Sequence, residues 1–371
     1  MSWNSSSIPI VNFSAMALIA LIVAARRRVA RAFGRRAALA SAAALGCAAA
    51  ASAGEGAPAR RGPIELRDEW LLCQMRLTLP ALAPDALPAG RSRFRASFDW
   101  GNDFGWNQSI RGETPADRRF LVDGEHRTLA FEWKHGLGGG LEAGARLPVR
   151  WRGPGVLDGL IDAFHGVAAH VGIPDNGRSF FLTDRFRVLG RDDQGRLVVW
   201  EAGAGTGLGN LELDLKWDAA PRAASLRPAL VGRVALPTGT GPFQADGFEA
   251  ALQLVAAAPL ADSLDVYAGA GGTAFSDLEV AGVEYARFRG FGFLVLEWRP
   301  GDSWSLLTEL NGSSRLATSL ARYPGLQSYL KIGVKRDLGP RLSLEAGFTE
   351  NLVRQQGTTD FGIFLGLARS F

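Results

Sequence analysis

Hydrophobic and charged residues alternate along most of this chain. In 211–217, Leu211, Leu213, Leu215 and Trp217 fall on one face and Glu212, Asp214 and Lys216 on the other. Successive side chains of an extended strand point to opposite faces, so this pattern predicts a strand with one apolar and one charged side. The same split recurs elsewhere. Phe94, Ala96, Phe98 and Trp100 oppose Arg93, Arg95 and Asp99; Leu129, Phe131 and Trp133 oppose Glu132 and Lys134. Leu330, Ile332 and Val334 oppose Lys331 and Lys335. Twelve such segments follow one another: 92–100, 127–136, 140–151, 208–218, 225–236, 247–257, 262–275, 287–299, 303–313, 327–337, 341–352 and 360–371. Each has about 9–14 residues, enough to cross a bilayer as a tilted strand.

The connections alternate in length. Those at 101–126, 152–207, 237–246, 276–286, 314–326 and 353–359 are long; those at 137–139, 219–224, 258–261, 300–302 and 338–340 are short. Long loops on one side and tight turns on the other are the layout of an outer-membrane barrel. An even strand count puts both barrel ends on the short-turn side, which is then the periplasm. Trp100, Trp133, Trp151, Trp217, Trp298 and Trp304 sit at strand ends, where indoles suit the headgroup boundary. The last segment closes on Phe371, which looks like the signal read by the barrel-insertion machinery, although Arg369 stands where an aromatic is usual. A soluble β-sandwich would also alternate, but twelve long segments carry more apolar face than one core can bury. An all-helical chain fails because the charges do not gather on one helical face. The expected fold is therefore all-β: a transmembrane antiparallel up-and-down barrel of about twelve strands, occupying 92–371 and placed in a bacterial outer membrane.

The second long loop, 152–207, breaks the pattern. Val156, Leu157, Leu160, Ile161, Phe164, Val167, Ala168 and Val171 form one apolar helical stripe, stopped by Gly172 and Pro174. The loop is expected to hold a short external helix, then a hairpin over 180–189 and 197–201.

Charge belongs unevenly to the chain. The whole carries +4, yet residues 1–53 hold six arginines and no acid, which leaves 35 basic and 37 acidic residues, or −2, for 54–371. Arg35 and Arg36 are followed by seventeen small or apolar residues and an Ala51-Ser52-Ala53 end, the plan of a signal peptide cleaved after Ala53. Residues 1–28 read as an over-long start, with translation expected from Val29. Cys47 follows a poor lipoprotein box, so cleavage leaves Cys73 as the sole cysteine, without disulfide or thiolate metal cluster. Residues 54–91 carry five prolines and no sustained period; they read as a periplasmic leader with one short helix near 70–76. With the basic excess confined to the N-terminus and only four lysines, nucleic acid is not an expected partner. Outer-membrane lipid is.

The runs Gly155-Val-Leu-Asp-Gly-Leu-Ile-Asp-Ala-Phe-His165 and Gly172-Ile-Pro-Asp-Asn-Gly-Arg178 resemble the domain-of-unknown-function family 3187. So do Gly205-Thr-Gly-Leu-Gly-Asn-Leu-Glu-Leu-Asp-Leu-Lys-Trp217 and Leu236-Pro-Thr-Gly239. The resemblance covers most of 90–371 and implies a proteobacterial outer-membrane barrel. It implies no activity, substrate or catalytic residue.

The charged face supplies the candidate chemistry. Arg93, Arg95, Lys134, Arg146, Lys216, Arg233, Arg287, Arg289, Lys331 and Lys335 are expected in the lumen, against Glu132, Glu142, Glu212, Asp214, Glu297, Glu309 and Glu345. Arg150, Arg227, Asp99 and Glu249 belong to the same set. Such charges either pair and narrow the pore, or line a polar path for small polar or anionic solutes. The expected role is passive transport or structural support of the envelope. His165, Asn176 and Arg178 are loop candidates. With His170 and Ser179 they raise the alternative of a lipid hydrolase, weakened by the lack of a base two residues from the serine. Surface docking through the long loops is a third option. No metal ligand set stands out among four histidines, no catalytic residue is assigned, and no cofactor is expected.

Overall fold

In the computed structural model, residues 60–106, 120–159, 163, 184–191, 196–199, 203–219, 225–280, 282–320, 323, 325–352 and 357–371 are described. The expected signal peptide, 1–53, lies outside them. The alternating segments form β1 (Ser92–Trp106), β2 (Phe120–Gly138), β3 (Leu141–Gly153), β7 (Leu211–Asp218), β8 (Arg227–Leu236) and β9 (Glu249–Ala261). The second half adds β10 (Leu264–Phe275), β13 (Phe288–Gly301), β14 (Trp304–Ser314), β15 (Leu326–Gly339), β16 (Leu342–Asn351) and β17 (Phe361–Ser370). These twelve pair in chain order, antiparallel throughout, and β17 closes on β1 with Phe98 opposite Leu365. Closure removes both free edges, and the backbone of every wall strand is paired on two sides. Phe371 extends the seam: its N–H donates to the Ser92 carbonyl at 2.8 Å.

Period two decides which way each residue points. Phe94, Phe98, Leu129, Phe131, Trp133, Leu213, Leu215 and Trp217 are exposed on the outside, while Arg95, Glu132, Lys134, Glu212 and Lys216 are buried within. An apolar outer band around a charged interior inverts the plan of a soluble barrel and is the plan of a bilayer-spanning one. Trp133, Trp217, Trp298 and Trp304, all exposed, ring the short-turn end. At the other end Arg127 lies over the rings of both Trp100 and Trp151, 4.9 and 4.4 Å from their centroids.

Tight turns join β2 to β3, β9 to β10, β13 to β14 and β15 to β16. The first turns through Gly139 and Gly140, both with positive φ, a conformation that side chains with a Cβ resist. The opposite end carries the long connections. Here β4 (Arg187–Arg191) and β5 (Leu197–Val199) form a hairpin that extends the sheet beside the top of β2. Beside β3, β6 (Gly205–Leu208) continues the line of β7 after a break at Gly209 and Asn210. β11 (Glu279–Val280) and β12 (Val283–Glu284) form a small hairpin within another long loop. The helix expected over 156–171 falls for the most part outside the described residues, and a helical loop is not shown.

Residues 60–91 correct the sequence reading of this stretch as a leader outside the barrel. Ile64, Trp70, Leu71, Leu72, Gln74 and Ala81 are completely inaccessible to solvent, and they lie inside the ring of strands. Arg61 meets Asp337 beside the short turns, Leu71 meets Asp103 near the long loops, and Leu87 returns to Glu142 at the short-turn end. The segment thus climbs the lumen, reverses and descends into β1. Thirteen extended residues reach roughly 40 Å, enough for one limb to run the height of the wall. The reversal is one hydrogen-bonded turn at 70–76 rather than a helix, with the Gln74 N–H on the Trp70 carbonyl at 3.1 Å. Proline at 63, 80, 84 and 88 keeps both limbs extended.

Candidate functional site

The interior is the site, and it is built by what an irregular backbone needs. A chain without ladder partners must find other acceptors and donors for its peptide groups. The wall's charged side chains supply them. Carboxylates take the N–H groups: Glu297 accepts from Arg61 at 2.8 Å and from Gly62 at 3.1 Å, Asp103 from Leu71 at 3.1 Å, and Glu142 from Leu87 at 2.9 Å. Glu249 does the same for Leu77. Cations take the carbonyls: Lys335 donates to Pro63 at 2.6 Å, Lys331 to Leu66 at 2.5 Å, Arg95 to Glu65 at 3.2 Å, and Lys216 to Asp85 at 3.1 Å. Arg150 caps the Gln74 carbonyl at the reversal.

Side chains of the segment add ion pairs. Glu65 lies 2.5 Å from Lys134 and 3.3 Å from Arg93. Glu69 meets Arg146 at 2.8 Å and Arg150 at 3.2 Å. Asp68 meets Arg289 at 3.2 Å, Arg76 meets Glu249 at 2.9 Å, and Arg67 pairs with Glu212. Wall charges also pair with one another: Arg95 with Glu345 and Glu132, Lys331 with Glu309, Lys216 with Glu142, Arg233 with Asp214. A buried charge without a partner costs several kcal/mol, so this mutual pairing is what lets so many ionised groups share one interior.

The reversal is held differently. Trp70, Leu71, Leu72, Cys73 and Met75 pack with Phe120, Val188, Phe275, Tyr285, Leu316, Leu320 and Tyr323, drawn from strand tops and three long connections. Arg76 stacks over the Tyr285 ring, 4.2 Å from its centroid. Burial raises the Tyr323 hydroxyl well above the usual tyrosine range, so it stays protonated while accepting from Gln327 at 2.8 Å. The long-loop end is closed by apolar packing, the middle by charges.

Of the charges read from the sequence, Arg93, Arg95, Glu132, Lys134, Glu142, Arg146, Glu212, Asp214, Lys216, Arg233, Arg289, Glu297, Glu309, Lys331, Lys335 and Glu345 lie on the inner face of strands. Arg287 does not. It is exposed in the bend before β13, because the strand starts at Phe288 and the alternation breaks there. His165, Asn176 and Arg178, with His170 and Ser179, lie outside the described residues. The sequence reading missed the segment's own Glu65, Arg67, Asp68, Glu69 and Arg76. Their signal was available: Trp70, Leu71, Leu72, Met75, Leu77 and Leu79 are too apolar for a leader in water. It also missed Asp265, which meets Arg60 at 2.7 Å and Arg299 at 2.6 Å, and buried His126, which bridges Asp103 at 2.7 Å and Asp99 at 2.9 Å.

Two inner cavities of about 10 Å³ are water-sized. A third, of about 220 Å³, lies at the short-turn end between the segment and β15, β16 and β17.

A family model matches residues 38–371, the inner segment included. The chain belongs to the family described as protein of unknown function (DUF3187). No curated protein matches it. Among solved structures this DUF3187 barrel is similar to the COG4313 outer membrane channel from Pseudomonas putida F1. The TM-score is 0.53 at 13% identity, over 78% of this chain and 98% of that one. It is also similar to the KdgM porin, with TM-score 0.38, 8% identity and 74% and 99% of the two chains. The Ralstonia pickettii toluene transporter TbuX gives TM-score 0.36, 12% identity and 87% and 98% coverage. At 13% identity the likeness to the COG4313 outer membrane channel is one of fold.

Proposed function

We propose that this DUF3187 protein is a passive channel of the outer membrane for small polar or anionic solutes, closed in the present state by its own residues 60–91. The carrying observation is that wall carboxylates and cations hold the segment's backbone by noncovalent hydrogen bonds. Eight-stranded barrels are filled by their own side chains, whereas sixteen strands leave a water channel. Twelve strands lie between, and here the surplus volume holds a segment of chain. Once it leaves, the charges it capped face water in a continuous polar tube. The short turns then face the periplasm, and the segment enters from there.

Planar-bilayer recording tests the reading. The mature chain is expected to be mostly silent, with brief openings. A variant lacking residues 60–86 is expected to give a steady ohmic conductance. If that variant folds, by the shift of its electrophoretic mobility on heating, yet passes no current, the barrel is a closed structural element and not a channel.

A further inference from the structure

The cavity of about 220 Å³ owes its existence to small residues. The inward positions of β17 nearest the short turns are Gly366, Ala368 and Ser370, with Ser343 beside them on β16. None is long enough to reach the ascending limb of the inner segment. The gap is lined instead by five cations: Arg60 and Arg61 from the segment, Arg93 and Arg95 from β1, and Lys335 from β15. Only two carboxylates, Asp337 and Glu345, share the lining. Asp265 and Glu65 stand beside Arg60 and Arg93 at 2.7 and 3.3 Å. Each of those contacts occupies one nitrogen of a guanidinium that carries five N–H donors. The Arg60 and Arg93 side chains each keep 23% of their surface exposed, so water reaches them from the short-turn end.

We infer that this cavity is a binding site for a small oxyanion, a phosphate or carboxylate group entering from the short-turn end. Planar guanidinium forks match two oxygens of such a group at once, and Arg60 of the segment and Arg93 of the wall both line the space. The volume equals roughly seven waters at about 30 Å³ each, room for one oxyanion and part of its hydration. As a site it stands without any opening of the barrel; as the solute class of the channel it rests on the proposal above. An oxyanion here bridges the root of the inner segment to β1 and so adds to what holds the segment in place.

The test is equilibrium titration of the intact mature protein in detergent with inorganic phosphate, and separately with succinate, at fixed ionic strength. Saturable binding in the millimolar range is expected for at least one of them; phosphate alone or succinate alone identifies the source. The double variant Arg60→Gln, Arg93→Gln is expected to weaken binding by about tenfold or more. Ala368→Leu, which fills the cavity from β17 beside Arg95 without removing a charge, is expected to abolish it. Both variants are first shown to fold by heat-dependent mobility. Absence of saturable binding by the parent overturns the site, as does unchanged affinity in Ala368→Leu. Conductance plays no part in this measurement, so a failed titration leaves the channel proposal standing and the reverse holds too.

Discussion

Glu69→Gln isolates what the charges contribute to holding the inner segment. Glu69 is 2.8 Å from Arg146 and 3.2 Å from Arg150, and all three side chains are at least nine-tenths buried. Salt therefore screens the pairs little. Gln keeps the size of the side chain, so no cavity opens and only the charge is lost. Breaking a buried pair by removing one partner costs about 3–5 kcal/mol. Arg146 keeps Glu212 at 3.2 Å and Glu132 at 3.3 Å, and Arg150 keeps the Gln74 carbonyl, so the low end, about 3 kcal/mol, applies. The loss falls on the docked state, since both guanidinia are hydrated once the segment leaves. The docking equilibrium then shifts by roughly 150-fold. Hydrogen exchange reads this shift at the N–H groups of Leu71 and Leu77, which the wall carboxylates Asp103 and Glu249 hold. Exchange there is expected to speed up about a hundredfold while the amides of β14 and β15 are unchanged. Equal acceleration in segment and strands would mean that the segment and wall open only together, and no acceleration would mean the charges do not hold it; either refutes the reasoning.

Two further outcomes test other links. Gly136 lies under the descending limb, where an added Cβ collides with the carbonyl oxygens of Leu87 and Pro88. Gly136→Ala is therefore expected to lose about 1–3 kcal/mol by overpacking and to free the Gly90 N–H, now on the Gly136 carbonyl at 2.8 Å; a thermal melt and exchange at Gly90 check it. Leu254 lies at the middle of β9 on the outer face and is 55% exposed. Leu254→Arg is expected to destabilise folding into lipid vesicles by about 2–4 kcal/mol, against ~0.5 or less for a surface in water; a change inside the smaller range would refute a bilayer-facing wall.

Strand alternation was legible because it is local. Side-chain direction in a strand depends only on residue parity, so the charged face of 211–217 could be assigned without knowing its neighbours. The strand starts shifted by up to seven residues, as at β2, which begins at Phe120 and not at 127, because Leu121 and Val122 pair with Trp106 and Gly105 of β1 on one side and, with Phe120, with the β4 hairpin on the other. Arg287 was misplaced for a different reason: it precedes β13, which starts at Phe288, and parity extrapolated past the end of a strand has no physical basis.

The sequence by itself determined an all-β chain of twelve wall strands, their order, the outward apolar band, the inward charges and the two unlike ends. Each follows from a period of two residues and from turn length, both properties of contiguous chain. Only the tertiary structure decided what fills the barrel. Residues 60–91 have no period, and their partners stand as far away as Asp337, 276 positions from Arg61. Their fate was set by volume and by unsatisfied peptide groups: a ring of twelve strands encloses more space than its side chains fill, and a charged wall offers donors and acceptors to any backbone that enters. That requirement exists only once the ring has closed.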